Sequence, residues 1–468
     1  MTIAELADLP EVGVGILHTP ELAQRLGDRL LDVAVEVDPC TTWRPLGGDA
    51  FAVPEDELLA LRSYVGGMLV HGGGDPVGGT IAAGAGVVDA FARSIAALRP
   101  PWVSERLAFN RYAVDDGVHT LGITLPQLQC EEAVGVAVSR LRALGPRVGR
   151  PVAFENTSSY LRVQPWELPD GDVIAAVAEE ADCGIVLDLH AVYANALNNR
   201  QPLDELIAAL PLARVIEVHL AGGRSHGGYW LDAHCGTTPF ELRALAELVI
   251  PRLPNLKAIV FELVGRYGDR IDELALTDEI AWLQWLWSVR GHEAGIGVRR
   301  RRTPTTRRDL PAPEVWESTL GELVRGRVPN GTLARTLAAD PGVAIYRELL
   351  SRRRRSAITD ALPWTLGALR LCAGPEHARA TIDRLLHESS PGLIEASEAL
   401  GFAAALGELP LDPLVRDTLS LERASIRARN EGVAHRVQIE HDPSELFAAL
   451  ADGTRPPRIP SFEVELSP

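Results

Sequence analysis

The sequence predicts an α/β fold: a closed, TIM-like (β/α)8 barrel followed by a second, mostly helical C-terminal domain. Three observations lead there. Eight short β-branched runs alternate with amphipathic stretches through about residue 290, the pattern of a (β/α)8 barrel. No G-x-G-x-x-G follows the first run, which removes the mark of a doubly wound dinucleotide fold. And nearly every run ends in a polar or ionisable residue, where a barrel would gather all of them at one mouth.

The runs are VGVGILH (12–18), LDVAVEVD (31–38), GMLVHG (67–72), WVSERLAF (102–109), PVAFEN (151–156), GIVLDLH (184–190), VIEVHLAG (215–222) and AIVFELVG (258–265). Stretches such as EDELLALRSYV, EEAVGVAVSRLRAL and PFELRALAELVIPRL lie between them, with apolar residues near helical spacing. The barrel is assigned residues 1–295. Composition then shifts at VRRRRTPTTRRDLPAP, and 296–313 reads as an exposed Arg/Pro-rich linker. Beyond it, 314–468 shows helical patterns at PEVWESTLGELVRGRV, GVAIYRELLSRRRR, TDALPWTLGALRL, ARATIDRLLHES and SIRARNEGVAHRV, and closes on RIPSFEVELSP.

With 468 residues the chain exceeds the roughly 100–200 residues of one ordinary domain. Its net charge of −17 disfavours nucleic acid and anionic membranes, which need a basic surface. The opening MTIAELADLPEVGVG lacks a basic n-region and long apolar core, and no run approaches a bilayer span, so a cytoplasmic protein is expected. Five scattered cysteines without C-x-x-C fit a reducing compartment and offer no thiolate zinc site.

The strand ends collect His18, Asp38, His71, Arg106, Glu155 with Asn156, Asp188 with His190, Glu217 with His219, and Glu262, while Asp232 and His234 follow the seventh run. Carboxylates crowded together repel and are costly to bury unless cations relieve them. Mixed His/Asp/Glu ligation without cysteine suits iron, manganese or zinc. The rim therefore reads as a metal cluster site. Several neighbours carry blander readings: His18 as a capping or supporting residue, Asp38-Pro39 as a turn, His226 as a surface histidine and Cys235 as a bystander. Glu217 is expected to orient His219, and Asn156, Asn195 and Asn198 are substrate contacts, supporting groups or turn formers.

The segments LVHGGG, SERLAFN, FENTSSYL, LDLHAVYANALNN, EVHLAGG, LDAH and VFEL occur in the order of the signature segments of the DUF692 family. The sequence thus resembles the multinuclear non-heme iron-dependent oxidases over about residues 10–290. The resemblance implies a TIM-barrel-like fold with two or three irons. It also implies O2-driven modification of a residue, often cysteine, in a ribosomally made precursor peptide, with a peptide-binding partner protein. By position, Glu155, Asp188, His219 and Glu262 match a central iron site, and His190, Asp232 and His234 a second. His71 matches a third, bridged through Glu155. There the family's next ligand is a histidine and this chain has Arg106, which cannot ligate, so two irons are expected. Asp188, His190 and Arg106 are the catalytic candidates, and Asn156, Asn195 and Arg106 the substrate-binding ones. Arg106 would neutralise Glu155 or clamp a substrate carboxylate. The C-terminal region would be a fused partner-like or peptide-recognition module, its arginine runs 299–302 and 352–355 drawing an acidic leader peptide or simply closing a helix and a linker. Two rival readings are a xylose-isomerase-like metal-dependent isomerase or hydrolase, and a non-catalytic peptide-binding scaffold.

Overall fold

A computed structural model of the chain describes residues 1–63, 66–115, 117–198, 200–264, 271–292 and 310–468. Most of the expected linker, including the arginine run 299–302, lies outside the described residues. Each of the eight runs forms a strand: β1 Gly13–Leu17, β2 Ala34–Val37, β3 Gly67–His71, β4 Val103–Arg106, β5 Val152–Glu155, β6 Gly184–Asp188, β7 Val215–Ala221 and β8 Ala258–Glu262. Every neighbour pairs in parallel, and β1 pairs with both β2 and β8, which closes the barrel in chain order. β-Branched side chains suit these strands because both faces are covered, one by barrel interior and one by helices.

The helices that follow the strands are α1 Pro20–Leu26, α2 Glu55–Arg62, α3 Ala85–Leu98, α4 Glu131–Val148, α5 Asp170–Ala181, α6 Leu189–Leu197, α7 Phe240–Val249 and α8 Glu273–Val289. Their apolar stripes pack on the outer strand faces in one core that includes Phe91, Val138, Ile174, Leu245 and Leu283. A second cluster fills the barrel bottom: Leu6, Leu69, Trp102, Ala153, Val186, Ile216 and Val260. The polar residues of the mouth therefore stand on a sealed apolar plug.

Two parts depart from the expected outline. The run WVSERLAF breaks after Arg106, and Ala108–Val114 leaves the barrel to pair antiparallel with Gly117–Pro126. That hairpin carries Phe109, Tyr112, Leu121 and Leu125 into a shared core with Trp316, Leu320, Val343 and Tyr346 of the C-terminal helices. Trp316 Nε1 donates to Pro126 O at 3.0 Å and the Tyr112 hydroxyl to Glu322 at 2.6 Å, so this contact is polar as well as apolar. The C-terminal region is mostly helical, but SIRARNEGVAHRV stops being helical at Glu431. His435–Ile439 instead pairs with Phe462–Leu466. Gly432, at φ +69°, ends the helix in the left-handed conformation that favours glycine.

Candidate metal centre

The mouth is built around His219. This side chain points into the barrel from the middle of β7, whose seven residues are all buried. Its Nδ1 lies 2.8 Å from Glu155 Oε1 and 3.6 Å from Glu262 Oε2; its Nε2 lies 3.3 Å from Glu36 Oε1 and 3.6 Å from Glu217 Oε1. Four carboxylates from four strands thus surround one imidazole. Burial alone would push the His219 pKa down, but Glu36, Glu262 and Glu155 raise it well above the ordinary value. Glu36 and Glu217 lie on the Nε2 side, and Glu217 is fixed there by Trp102 Nε1, which donates to its Oε2 at 2.8 Å. This arrangement turns Nδ1 toward Glu155 and Glu262. An imidazole lone pair and two carboxylates cannot bond one another directly, so a proton or a cation must mediate.

Sequence reasoning misses Glu36, while Asp38 at the end of the run is read, with Pro39, as a turn. In the structure β2 ends at Val37, and Asp38 caps the turn Pro39–Thr41, accepting from Cys40 N at 3.2 Å. Glu36 is fully buried, and desolvation raises its pKa to about 7 despite the nearby His219. A charged residue flanked by Ala34, Val35 and Val37 in a fully buried strand is the available signal.

A second group forms beside the first. Asp232 Oδ1 lies 2.7 Å from His190 Nδ1 and 3.0 Å from His234 Nε2. Burial opposes ionisation of Asp232, yet the two histidines hold its pKa well below the ordinary range. His234, which adopts φ +45°, reaches back so that Nε2 is also 3.4 Å from Glu262 Oε2. The segment is therefore not a plain extended strand, as an alternating Asp-x-His would be. Burial lowers the His234 pKa, but Glu262 and Asp232 raise it to about 10.

Asp188 ends β6 and caps α6, its Oδ1 accepting from His190 N at 2.8 Å and Ala191 N at 3.0 Å. This strand-to-helix switch puts His190 in the first turn of α6 rather than on the strand. Burial raises the Asp188 pKa well above normal, helped by the charges of Asp232, Glu155 and Glu262. His190 is held at both ring nitrogens. Trp230 Nε1 can only donate, and it does so to His190 Nε2 at 3.0 Å, which places the ring proton on Nδ1, facing Asp232. Ligation through His190 would require giving up one of these bonds. Gly223 makes room for the pair, since a Cβ there would lie 2.5 Å from Trp230 Nε1 and 2.6 Å from His190 Nε2. Gly223→Ala is expected to displace both rings and weaken metal binding at Asp232 and His234 by about 10–100-fold, measured as metal retained after desalting.

The remaining candidates separate by what they touch. His71 Nε2 is 3.0 Å from Glu155 Oε2 and its Nδ1 2.8 Å from Ser104 Oγ. Burial raises the Glu155 pKa, but His71 and His219 more than offset it and hold the carboxylate well below the ordinary range. Arg106 stands where the resemblance asks for histidine, its Nε 3.6 Å from Glu155 and its Nη1 3.8 Å from Asp38. Asn156 and Asn195 spend their amides on the backbone. Asn156 Nδ2 donates to Asp188 O and Asp188 N donates to Asn156 Oδ1, both at 3.0 Å. Asn195 accepts from Ser159 N and donates to Thr157 O. Asn198 similarly brackets the Trp230 backbone. His226, read as a surface histidine, is partly buried against Glu348 of the C-terminal region at 2.8 Å.

The donor set fits divalent cations. Three overlapping groups have ligand atoms close enough to share an ion: His190, Asp232 and His234; Glu36, His219 and Glu262; and Asp188, His234 and Glu262. Glu36 Oε1 and Oε2, His219 Nε2 and Glu262 Oε2 are buried without a well-formed hydrogen bond. Buried polar atoms are ordinarily paired, so such a concentration at one mouth marks a place built for a cation.

Residues 48–271, which carry every one of these side chains except Glu36, match the family model described as "RiPP precursor modification enzyme MbnB/TglH/ChrH". Just under half of the chain is thus similar to this family. Among its relatives, a UPF0276 protein of Anaeromyxobacter sp. (strain Fw109-5) is 29% identical over 231 residues, 48% of this chain and 79% of the relative. A UPF0276 protein of Vibrio vulnificus (strain YJ016) is 30% identical over 154 residues, 32% of this chain and 52% of the relative, so about half of that protein is spanned. Of solved structures, endonuclease IV from Thermus thermophilus is similar at TM-score 0.37 and 18% identity, covering 59% of this chain and 100% of that chain. D-psicose 3-epimerase from Clostridium cellulolyticum H10 is similar at TM-score 0.38 and 11% identity, covering 59% and 98%. The barrel assignment itself rests on the strand order. No described helix is long and apolar enough to cross a membrane.

Proposed function

We propose that this chain is a non-heme iron oxidase holding two irons, which uses O2 to modify a residue of a ribosomally made precursor peptide. The observation that carries the two-metal reading is Glu262. Its Oε2 is buried without a hydrogen-bond partner, 3.6 Å from His219 Nδ1 and 3.4 Å from His234 Nε2, and so stands between the two groups. Glu155, Asp188, His219 and Glu262 would hold one iron; Asp232 and His234, shared with Glu262 and supported by His190, the other. Iron bound there would supply the redox equivalents for O2 chemistry.

The chain's own residues do the rest. Glu36 and Glu217 fix the His219 ring from below, and Asn156 pins the Asp188 backbone so that one carboxylate oxygen stays committed to the α6 cap. Arg106 stays protonated and supplies a fixed positive charge beside Glu155 and Asp38. Among the described residues, His71 and Glu155 then belong to no group of three metal-ligating side chains. The C-terminal helices complete the cleft through which a peptide would reach the mouth.

Oxygen uptake tests the reading. Anaerobically purified, iron-loaded protein, mixed with peptides encoded beside its gene, should consume O2 only when the right peptide is present, with a mass change on that peptide. No uptake with any of these peptides, or turnover of a sugar without O2, would overturn it. Chelation should also destabilise the fold, because the buried carboxylates lose their counter-charge. A site held at a hundredfold excess over its Kd contributes about 3 kcal/mol, and differential scanning calorimetry should show the corresponding fall in Tm.

A further inference from the structure

The barrel mouth opens into a cavity of about 1100 Å³ whose outer wall comes from the C-terminal region. The floor includes Arg106, Glu155, Asp188 and Asp232; the wall includes Arg352, Arg353 and Arg355 of the helix Pro341–Ala361 and the segment Leu393–Ala396. That segment is seated on the barrel, Leu393 approaching Gly74 just beyond His71.

The four arginines of the run 352–355 meet different fates. Arg354 is buried and spent within the helical region, its Nε 2.8 Å from Glu398. Arg352 pairs with Glu348 one turn earlier, and Arg355 with Asp383. Arg353 differs. Its guanidinium donates to carbonyl oxygens, Gly392 at 3.2 Å and Leu393 at 2.9 Å, and among the described residues no carboxylate lies within ion-pair reach. Glu398 and Glu395 act on it only from farther off, and burial outweighs them, so its pKa is lowered. Gly122 lies so close that a Cβ there would strike the guanidinium and Gly392 O.

A guanidinium does not lose its proton. Arg353 therefore carries a half-buried positive charge, hydrogen-bonded to neutral dipoles, on the wall of a cavity. Such a charge is costly while unpaired, and a carboxylate entering the cavity would recover that cost through a charge-assisted hydrogen bond. The chain carries −17 overall, so elsewhere it repels an acidic ligand.

We propose that Arg353 anchors a carboxylate of the peptide substrate, so that this enzyme selects a peptide with an acidic group close to the residue it modifies. The proposal rests on the peptide-oxidase reading for its occupant. The anchor lies on the wall and the metal groups on the floor, so an extended peptide held at Arg353 lays a neighbouring side chain over the floor.

Fluorescein-labelled hexaglutamate is the probe, followed by anisotropy with the iron-loaded full chain under argon. Binding should weaken with salt and exceed that of hexaglutamine. Arg353→Gln should weaken it about tenfold or more, the loss of one charge-assisted pair. Arg384→Gln, on an arginine paired with Glu388 at the exposed surface, should not. Asp188→Ala should leave binding intact, because the wall does not depend on the metal. Equal affinity of Arg353→Gln and the parent, equal binding of hexaglutamine, or loss in Asp188→Ala would overturn the anchor. Should Arg353→Gln not fold, the comparison of hexaglutamate with hexaglutamine on the parent decides alone. Hexaglutamate binding by a chain that takes up no iron would keep the anchor and reject the oxidase; an iron-bearing chain indifferent to hexaglutamate would do the reverse.

Discussion

Replacing Glu262 by alanine should cost the protein both metals, not one. Its unpaired Oε2 is the atom that faces His219 on one side and His234 on the other. Without it, each group keeps at most a partial ligand set and loses the charge that draws His234 inward. Loss of a supporting partner to a metal ligand typically costs 10–100-fold in metal affinity; loss of a shared ligand should exceed about 100-fold at both positions. Iron analysis of the purified variant checks this, with circular dichroism to confirm the barrel. The barrel should persist, because its closure depends on backbone pairing and on the apolar plug at Leu6, Leu69 and Trp102. Retention of one tightly held iron would show that the two groups are independent and that Glu262 serves only one.

The opposite change, a gain of metal, is expected for Arg106→His. At present the guanidinium sits 3.6 Å from Glu155 and 3.8 Å from Asp38, and a cation there competes with any third metal by charge and by volume. A histidine removes the charge and offers a lone pair opposite His71, whose Nε2 lies 3.0 Å from Glu155 Oε2. Metal content should rise from about two to about three per chain, since an open imidazole and carboxylate set of this kind suits first-row divalent metals. Arg106→Gln is the control: it removes the charge without adding an imidazole and should leave the count unchanged. A third metal in Arg106→Gln, or none in Arg106→His, would mean that something other than Arg106 closes that position.

Much of this architecture is legible in the residues. The eight runs can be read as barrel strands because a parallel strand covered on both faces is a short, nearly uninterrupted β-branched sequence. Polar residues at the ends of such runs stand out, which is how His71, Glu155, Asp188 and Glu262 are found, and His219 is conspicuous as an imidazole inside an apolar run. Glu36 escapes because it lies within its strand, one residue short of the end, and Asp38 beside it is the more conspicuous carboxylate. The hairpin Ala108–Val114 with Gly117–Pro126 is also hidden: AFNRYAV continues the fourth run without a break, and only the turn signal VDDGV hints at a reversal. Distance in sequence hides the rest. Nothing local says that Trp230 will occupy His190 Nε2, that His226 will meet Glu348, or that of four consecutive arginines Arg353 will be the one held by carbonyls. Those are consequences of how the C-terminal helices are laid against the barrel mouth.

The same packing ties the helical region to the candidate metal centre. Tyr346, on the helix that carries the arginines, accepts at its hydroxyl from the backbone N–H of Tyr160 at 3.3 Å, and the Tyr160 hydroxyl in turn accepts from Asp232 N at 3.2 Å. A short relay of hydrogen bonds therefore runs from the C-terminal region to the backbone of a candidate metal ligand.

Metal identity and number on anaerobically purified protein, read by elemental analysis and by Mössbauer spectra of an iron-57 sample, decide between a di-iron oxidase and its rivals. About two irons per chain are expected, a count set by the two ligand groups that Glu262 joins, with spectra that change on exposure to O2. A chain holding zinc or manganese inert to O2, or no metal after reconstitution, would contradict it.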